Sequence, residues 1–416
     1  MANYSTVTRI TDYGPFIRKI VLDLGFEIGR NDVSARTFHV HCVRREKDGS
    51  IVLCKRWGEA KASPSLGNLP VERAYPCDAS GNRSTRGSHC ALEIGELTPA
   101  KCTEGDILSS RYIFNDFRVT QLEELFDAQG ESVTGLVFDT CTGNTCPDLI
   151  GWADGENTMR YGFYAPENPE KKKLPLLIWL HGAGEGGKDT KISYTGNHVT
   201  LLSDASAQRK LGGAAWILVP QCPTVWMDDG VEKLGHSNYS IYTKELKSCI
   251  DGFIEEHAQT IDTDRIYVSG ISNGGFMTMR LIFDYPDFFA AAAPGCQAFY
   301  SDNATDEMVN SIRNLPIWFT HAKGDELVDP RETSLPLYHR LKAAGGENVH
   351  FSFWDEVVDP TGLYQDEHGR PRPFFNHGVW ILMLNDACCL DLDGSRVVFD
   401  GEPVTLLEWL GKQKKR

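Results

Sequence analysis

Short apolar runs broken by turn residues fill the first third of the chain, at 17–24, 37–43, 51–55, 91–94 and 109–119. Gly, Pro and Asp punctuate them, as in KDGS at 47–50 and DASGN at 78–82. Brief strands with frequent turn signals predict a small β-sandwich over residues 1–155. Only 121–128 offers a short helical pattern there. Residues 130–158 are rich in Gly, Thr, Asp and Asn and read as a connection, with 135–138 as one further strand. From Met159 the pattern changes. Continuous apolar runs at 176–180, 216–219, 266–268 and 317–320 suit strands buried on both faces. Strands are also expected at 160–165, 288–293 and 349–353. Helical periodicity falls between them at 240–257, 276–283 and 333–344, and later at 378–384 and 405–412. Alternating strands and helices predict an α/β domain over 156–416 with a mostly parallel sheet. A loop is expected at 360–378, and a hairpin within 388–401.

The C-terminal pattern is organised around DRIYVSGISNGGFMTMRLIFDY at 264–285. A strand, a tight turn and a helix meet at Ser272, with Gly270 and Gly274 two residues to either side. Side chains at those two positions would clash in so sharp a corner. The corner lifts the hydroxyl above the sheet and aims the following helix's positive end at it. A serine nucleophile needs a base, and the base needs an orienting carboxylate. The late strand IWFT leads to Asp325 after Gly324, and the last strand leads through the long loop to His377. Asp325 is preferred over Asp329, Asp355 and Asp359, and His377 over His368, His350 and His321. The last two begin and end strand patterns.

An acyl-transfer intermediate carries an oxyanion that takes two backbone N–H donors. One is Asn273, directly after the serine. The other comes from His181-Gly182-Ala183-Gly184-Glu185-Gly186-Gly187, with Ala183 first and Gly184 second. No G-K-[ST] follows at Walker spacing, so a phosphate cradle is set aside. His181 reads as a loop brace. Glu185, Gln221 and Trp226 are candidates for contact with substrate. Cys222 is not expected to be a nucleophile.

The formal net charge of −15 disfavours nucleic acid and anionic membranes as partners. The basic clusters 171–173 and 412–416 read as solvated surface. No signal peptide or apolar run of membrane-spanning length is visible, so a cytoplasmic protein is expected. Its 12 cysteines then default to reduced thiols. The constellation implies no metal or organic cofactor.

Together these pieces resemble α/β-hydrolase serine esterases of the prolyl-oligopeptidase-type or polyhydroxybutyrate-depolymerase-like branch. The resemblance rests on WLHGAGEGG (179–187), VPQCP (219–223), RIYVSGISNGGFMTM (265–279), GDELV (324–328), NHGVW (376–380) and the closing LLEWLGKQKKR. It implies an α/β-hydrolase fold and ester hydrolysis on Ser272, Asp325 and His377. The partner would be a small-molecule ester. Residues 1–155 resemble the N-terminal immunoglobulin-like domain of some such esterases, with oligomerisation or gating as its role. The segment 388–401 is extra to the pattern and could cover the site or form an interface. A peptidase or amidase on the same triad, or an inactive hydrolase-fold binding protein, remain as alternatives.

Overall fold

The computed structural model describes residues 2–54, 61–103, 106–127, 129–168, 170 and 172–415, with only the backbone described at 101–103 and 106–109. Lys55, Ala128, Lys171 and Arg416, each part of a feature expected above, lie outside the described residues. Two compact units divide the chain: Met1–Asp106 with Arg111–Ile150, and Gly151–Arg416 with Ile107–Ser110.

The first unit is all β. Its main sheet has eight strands in the spatial order Leu66–Leu69, Phe38–Arg45, Phe114–Gln121, Val137–Thr145, Ala2–Thr11, Gly14–Gly29, Arg86–Leu97, Val71–Cys77. Alternate residues of these strands point inward, and Ile20, Leu22, Val40, Leu92, Val119 and Phe138 are completely buried in one core. Phe38–Arg45, second in that order, also comes near Val71–Cys77 at its other end. The linker expected at 130–158, with a strand at 135–138, holds a longer and later strand. Val137–Thr145 runs parallel to Ala2–Thr11, but only Phe138 in it is buried, so no alternation marks it in the sequence. The helix expected at 121–128 is also not formed. Gln121 ends a strand, and Leu125–Phe126 pairs with Ser132–Val133.

The second unit begins at Gly151 rather than residue 156. Trp152–Glu156 forms an antiparallel hairpin with Arg160–Tyr164 at the edge of the second sheet. That sheet continues through Trp216–Gln221, Leu174–Leu180, Ile261–Ile271, Ala291–Gly295, Ile317–Ala322 and Val349–Trp354. The last six strands pair in parallel. Trp216–Gln221 and Ile317–Ala322 are buried at every residue, as a two-sided parallel sheet requires. Thr243–Glu256 packs by one stripe: Leu246, Cys249, Ile250 and Phe253 are buried. Asn273–Asp284 is buried nearly all round.

The 388–401 segment lies along the sheet's outer strand. Asp391 accepts the Phe351 N–H (2.9 Å) and bonds His350 Nδ1 (2.8 Å), and Ser352 Oγ donates to Leu390 O (2.7 Å). It therefore occupies the open edge of Val349–Trp354. The following helix Leu406–Lys412 starts in a Thr405–Glu408 capping box. Half-buried Asp386 anchors that start, accepting from Lys210 Nζ (2.6 Å), Thr405 Oγ1 (2.6 Å) and Leu407 N (2.9 Å).

Candidate active site

Ser272 sits between the strand Ile261–Ile271 and the helix Asn273–Asp284, at φ 53° and ψ −116°. A non-glycine residue holds such a backbone only where its surroundings enforce it. Here the Ser272 N–H is tied to Gly295 O (2.9 Å), and its carbonyl accepts from Phe276 N (2.9 Å) and Ala298 N (3.3 Å). The flanking glycines are required by contact. A Cβ on Gly274 would stand 2.0 Å from Leu180 O, and one on Gly270 2.6 Å from Gly274 O.

Asp325 lies just beyond the strand Ile317–Ala322, and His377 in the loop before the helix Trp380–Leu384. The two are joined directly: His377 Nδ1 is 2.7 Å from Asp325 Oδ2, and both residues are buried. A carboxylate only accepts, so Nδ1 carries the proton and Nε2 is left with a lone pair, as a base requires. Asp325 is saturated with donors. Oδ1 accepts from Leu327 N (2.9 Å) and Val328 N (3.0 Å), and Oδ2 also takes His321 Nε2 (3.0 Å). Burial works to raise this carboxyl, but the two imidazoles and the Val328 N–H outweigh it and hold it well below the ordinary carboxylate range. Among the described residues, no hydrogen bond joins the Ser272 hydroxyl to His377. Such bonds commonly form only with substrate in place.

The rivals are engaged elsewhere. Asp329 pairs with Arg331, Asp355 with Lys323, and Asp359 caps the turn at Thr361. His350 pairs with Asp391, and His368 is exposed beside Glu367. His321 is buried at the end of its strand, on the very carboxylate that holds His377. Its four-residue spacing to Asp325 across a strand end was the available signal.

The glycine-rich loop after Leu174–Leu180 is braced from inside. His181 Nδ1–H donates to Gly182 O (2.8 Å), and Nε2 accepts from Cys222 N (3.0 Å). Burial pushes that imidazole down to about 4, so it stays neutral. Glu185, Gln221 and Trp226, the candidates for contact with substrate, are buried and bonded to the loop itself. Glu185 Oε2 accepts the Gly182 N–H (3.0 Å). Gln221 Nε2 donates to the carbonyls of Glu185 (3.0 Å) and Asp189 (2.9 Å). Trp226, fully buried, donates from Nε1 to His181 O (3.1 Å), and its own N–H is held by Asn273 Oδ1 (2.6 Å). Long polar side chains beside a loop can serve the loop or the cavity, and only their burial decides. The backbone N–H groups of Ala183, Gly184 and Asn273 have no acceptor among the described residues. The Gly182 N–H is already committed to Glu185.

Among the described residues, one trio has metal-ligand geometry. Cys296 Sγ and the ligand atoms of Asp325 and His377 lie within 4.8 Å of one another. It suits a metal poorly, because the carboxylate's acceptor positions are filled and burial raises the Cys296 thiol well above its ordinary range. Burial likewise raises the Cys222 thiol, which agrees with its expected inertness.

Two family models match the chain: an esterase Ig-like N-terminal domain over residues 3–134, and the prolyl oligopeptidase family over residues 225–352. An uncharacterized secreted protein of Arthroderma benhamiae is 34% identical over 238 residues, covering 55% of this chain and 24% of that protein. Poly(3-hydroxyalkanoate) depolymerase C of Paucimonas lemoignei is 45% identical over 130 residues, covering 29% and 27%. The chain thus spans about a quarter of the length of these relatives. The crystal structure of a thermostable esterase superposes with a TM-score of 0.72 at 21% identity, covering 99% of both chains. The fold is accordingly an α/β-hydrolase domain preceded by an Ig-like domain.

Proposed function

We propose that this Ig-like and α/β-hydrolase chain is a serine hydrolase of carboxylic esters that works through an acyl-enzyme. Ser272 Oγ attacks the ester carbonyl while His377 Nε2 takes its proton. Asp325 holds the imidazole by Nδ1 and balances the charge it gains. The N–H groups of Asn273 and of Ala183 or Gly184 receive the oxyanion. Collapse expels the alcohol with the proton from His377, and water then releases the acid by the same steps. The observation that carries this reading is the buried 2.7 Å bond between His377 Nδ1 and Asp325 Oδ2, with the strained Ser272 anchored beside Cys296, itself close to both. Short-acyl 4-nitrophenyl esters should be hydrolysed, and Ser272→Ala should lower kcat by at least about a thousandfold. Undiminished turnover in that variant would sink the proposal.

A peptidase or amidase using the same residues is the second reading, favoured by the prolyl oligopeptidase match. Chromogenic peptides turning over faster than esters would install it. A hydrolase-fold binding protein would leave Ser272 unlabelled by a fluorophosphonate. Acetyl, feruloyl, galloyl and hydroxybutyryl esters form the natural first panel for specificity.

The Ig-like unit is proposed to gate substrate or to assemble copies of the chain. Deleting residues 1–150 and following both mass and activity separates the two roles. A cytoplasmic location is retained as part of the proposal. No helix among the described residues is long and apolar enough to cross a membrane. Because one relative is described as secreted, cell fractionation is the deciding measurement.

A further inference from the structure

We propose that His321 is a positioning residue for Asp325, sharing Oδ2 with His377 and fixing the direction from which His377 is held. The inference rests on the reading of Ser272, His377 and Asp325 given above. His321 belongs to the strand Ile317–Ala322 and is completely buried. Its Nε2 faces two groups that only accept, Asp325 Oδ2 at 3.0 Å and Val328 O at 3.1 Å. Nε2 therefore carries the proton. In the neutral ring Nδ1 must then accept, and Ser334 Oγ stands 2.8 Å from it, itself buried. A relay of fixed polarity results: Ser334 hydroxyl to His321, His321 to Asp325, His377 to Asp325.

The relay has two consequences for the carboxylate. With Leu327 and Val328 N–H groups on Oδ1 and two imidazoles on Oδ2, Asp325 cannot rotate without breaking bonds at both oxygens. His321 also draws on the same oxygen that binds the His377 proton, so it moderates the grip on that proton. Packing alone needs neither a ring nitrogen aimed at Oδ2 nor a buried hydroxyl fixing the tautomer. An apolar side chain would fill the space without stranding a buried donor.

The test compares His321→Leu, His321→Gln and Ser334→Ala in the full chain. Ester turnover is measured per serine labelled by a fluorophosphonate, across pH, with folding checked by circular dichroism. His321→Leu should lose about 10- to 100-fold in kcat at unchanged KM, since a displaced carboxylate misaligns the base. Its pH profile should differ from that of the wild type, because Oδ2 then binds His377 with one donor fewer. His321→Gln, whose amide N–H can reach the same oxygen, should recover most of the loss. Ser334→Ala should lose severalfold, again in kcat. Wild-type kcat per labelled serine in His321→Leu, an unmoved pH profile, or a glutamine variant no better than leucine would overturn the inference. If His321→Leu does not fold, wild-type turnover in Ser334→Ala also overturns it, by assigning the pair to folding alone. A loss of kcat in folded Ser334→Ala with recovery in His321→Gln upholds it. Hydrolysis surviving in Ser272→Ala would instead defeat the underlying site reading.

Discussion

Glu185→Gln should change the pH dependence of stability more than the stability itself. The native carboxyl is buried, with Oε2 on the Gly182 N–H and Oε1 without a hydrogen bond of ordinary geometry. Burial lifts it from an ordinary 4.5 to about 8, against the smaller opposing effects of the Gly182 N–H and the nearby Asn197 amide. Between those two values the native state holds one proton more than the unfolded chain. Stability then falls with rising pH by about 1.4 kcal/mol per unit. Below 4.5 both states are protonated and the group costs nothing; above 8 both are ionised and the cost is constant at about 5 kcal/mol. An amide keeps the bond to Gly182 and never ionises, but places an NH₂ where Oε1 has no partner, at about 1–3 kcal/mol. The variant should therefore be the weaker protein at pH 5 and the stronger one at pH 8.5, with a crossing between about pH 5 and 7. Urea unfolding followed by tryptophan fluorescence measures this in the relevant unit, since eight of the nine tryptophans lie beyond residue 150. Parallel stability curves for the two proteins would refute the argument.

Three further outcomes follow from contacts already described. Gly274→Ala places a methyl 2.0 Å from Leu180 O and 2.6 Å from His181 O, both backbone atoms, so it should cost about 3 kcal/mol or more. A wild-type melting temperature would contradict that. Asp325→Asn should lower ester kcat by about 10³- to 10⁴-fold, because an amide NH₂ facing His377 Nδ1 reverses the tautomer. Steady-state kinetics on a folded variant decide it. Iodoacetamide should leave native activity unchanged, since burial keeps Cys222 and Cys296 protonated and enclosed. Rapid inactivation protected by substrate would contradict that.

The places of Ser272, Asp325 and His377 were legible because each lies in a loop or corner following a strand, with turn chemistry of its own. Ser272 has flanking glycines, Asp325 follows Gly324, and His377 precedes Gly378. The parallel sheet was legible from apolar runs that only two-sided burial explains. What stayed hidden is contact between segments distant in sequence. Trp226 and Asn273 are 47 residues apart and bonded, and nothing local to either says so. Glu185 and Gln221 look like polar cavity residues until their burial shows them serving the loop. His321 ends a strand pattern and is buried there; its shared oxygen with His377 depends on a loop closing 52 residues beyond Asp325. Val137–Thr145 runs well past the strand expected at 135–138, because beyond Phe138 it is exposed and carries no period to read.

The tail strapped along Val349–Trp354 bears on how this protein fails as well as how it works. A bare outermost strand offers unpaired amides to any neighbouring chain. Here Asp391 already answers the Phe351 amide, Leu390 O takes the Ser352 hydroxyl, and the Asp386 anchor keeps the strap in place. A nonsense change near residue 387 would spare Ser272, Asp325 and His377 yet uncover both that strand and the bed of the buried Trp409. Clumping in the cell would be its first symptom.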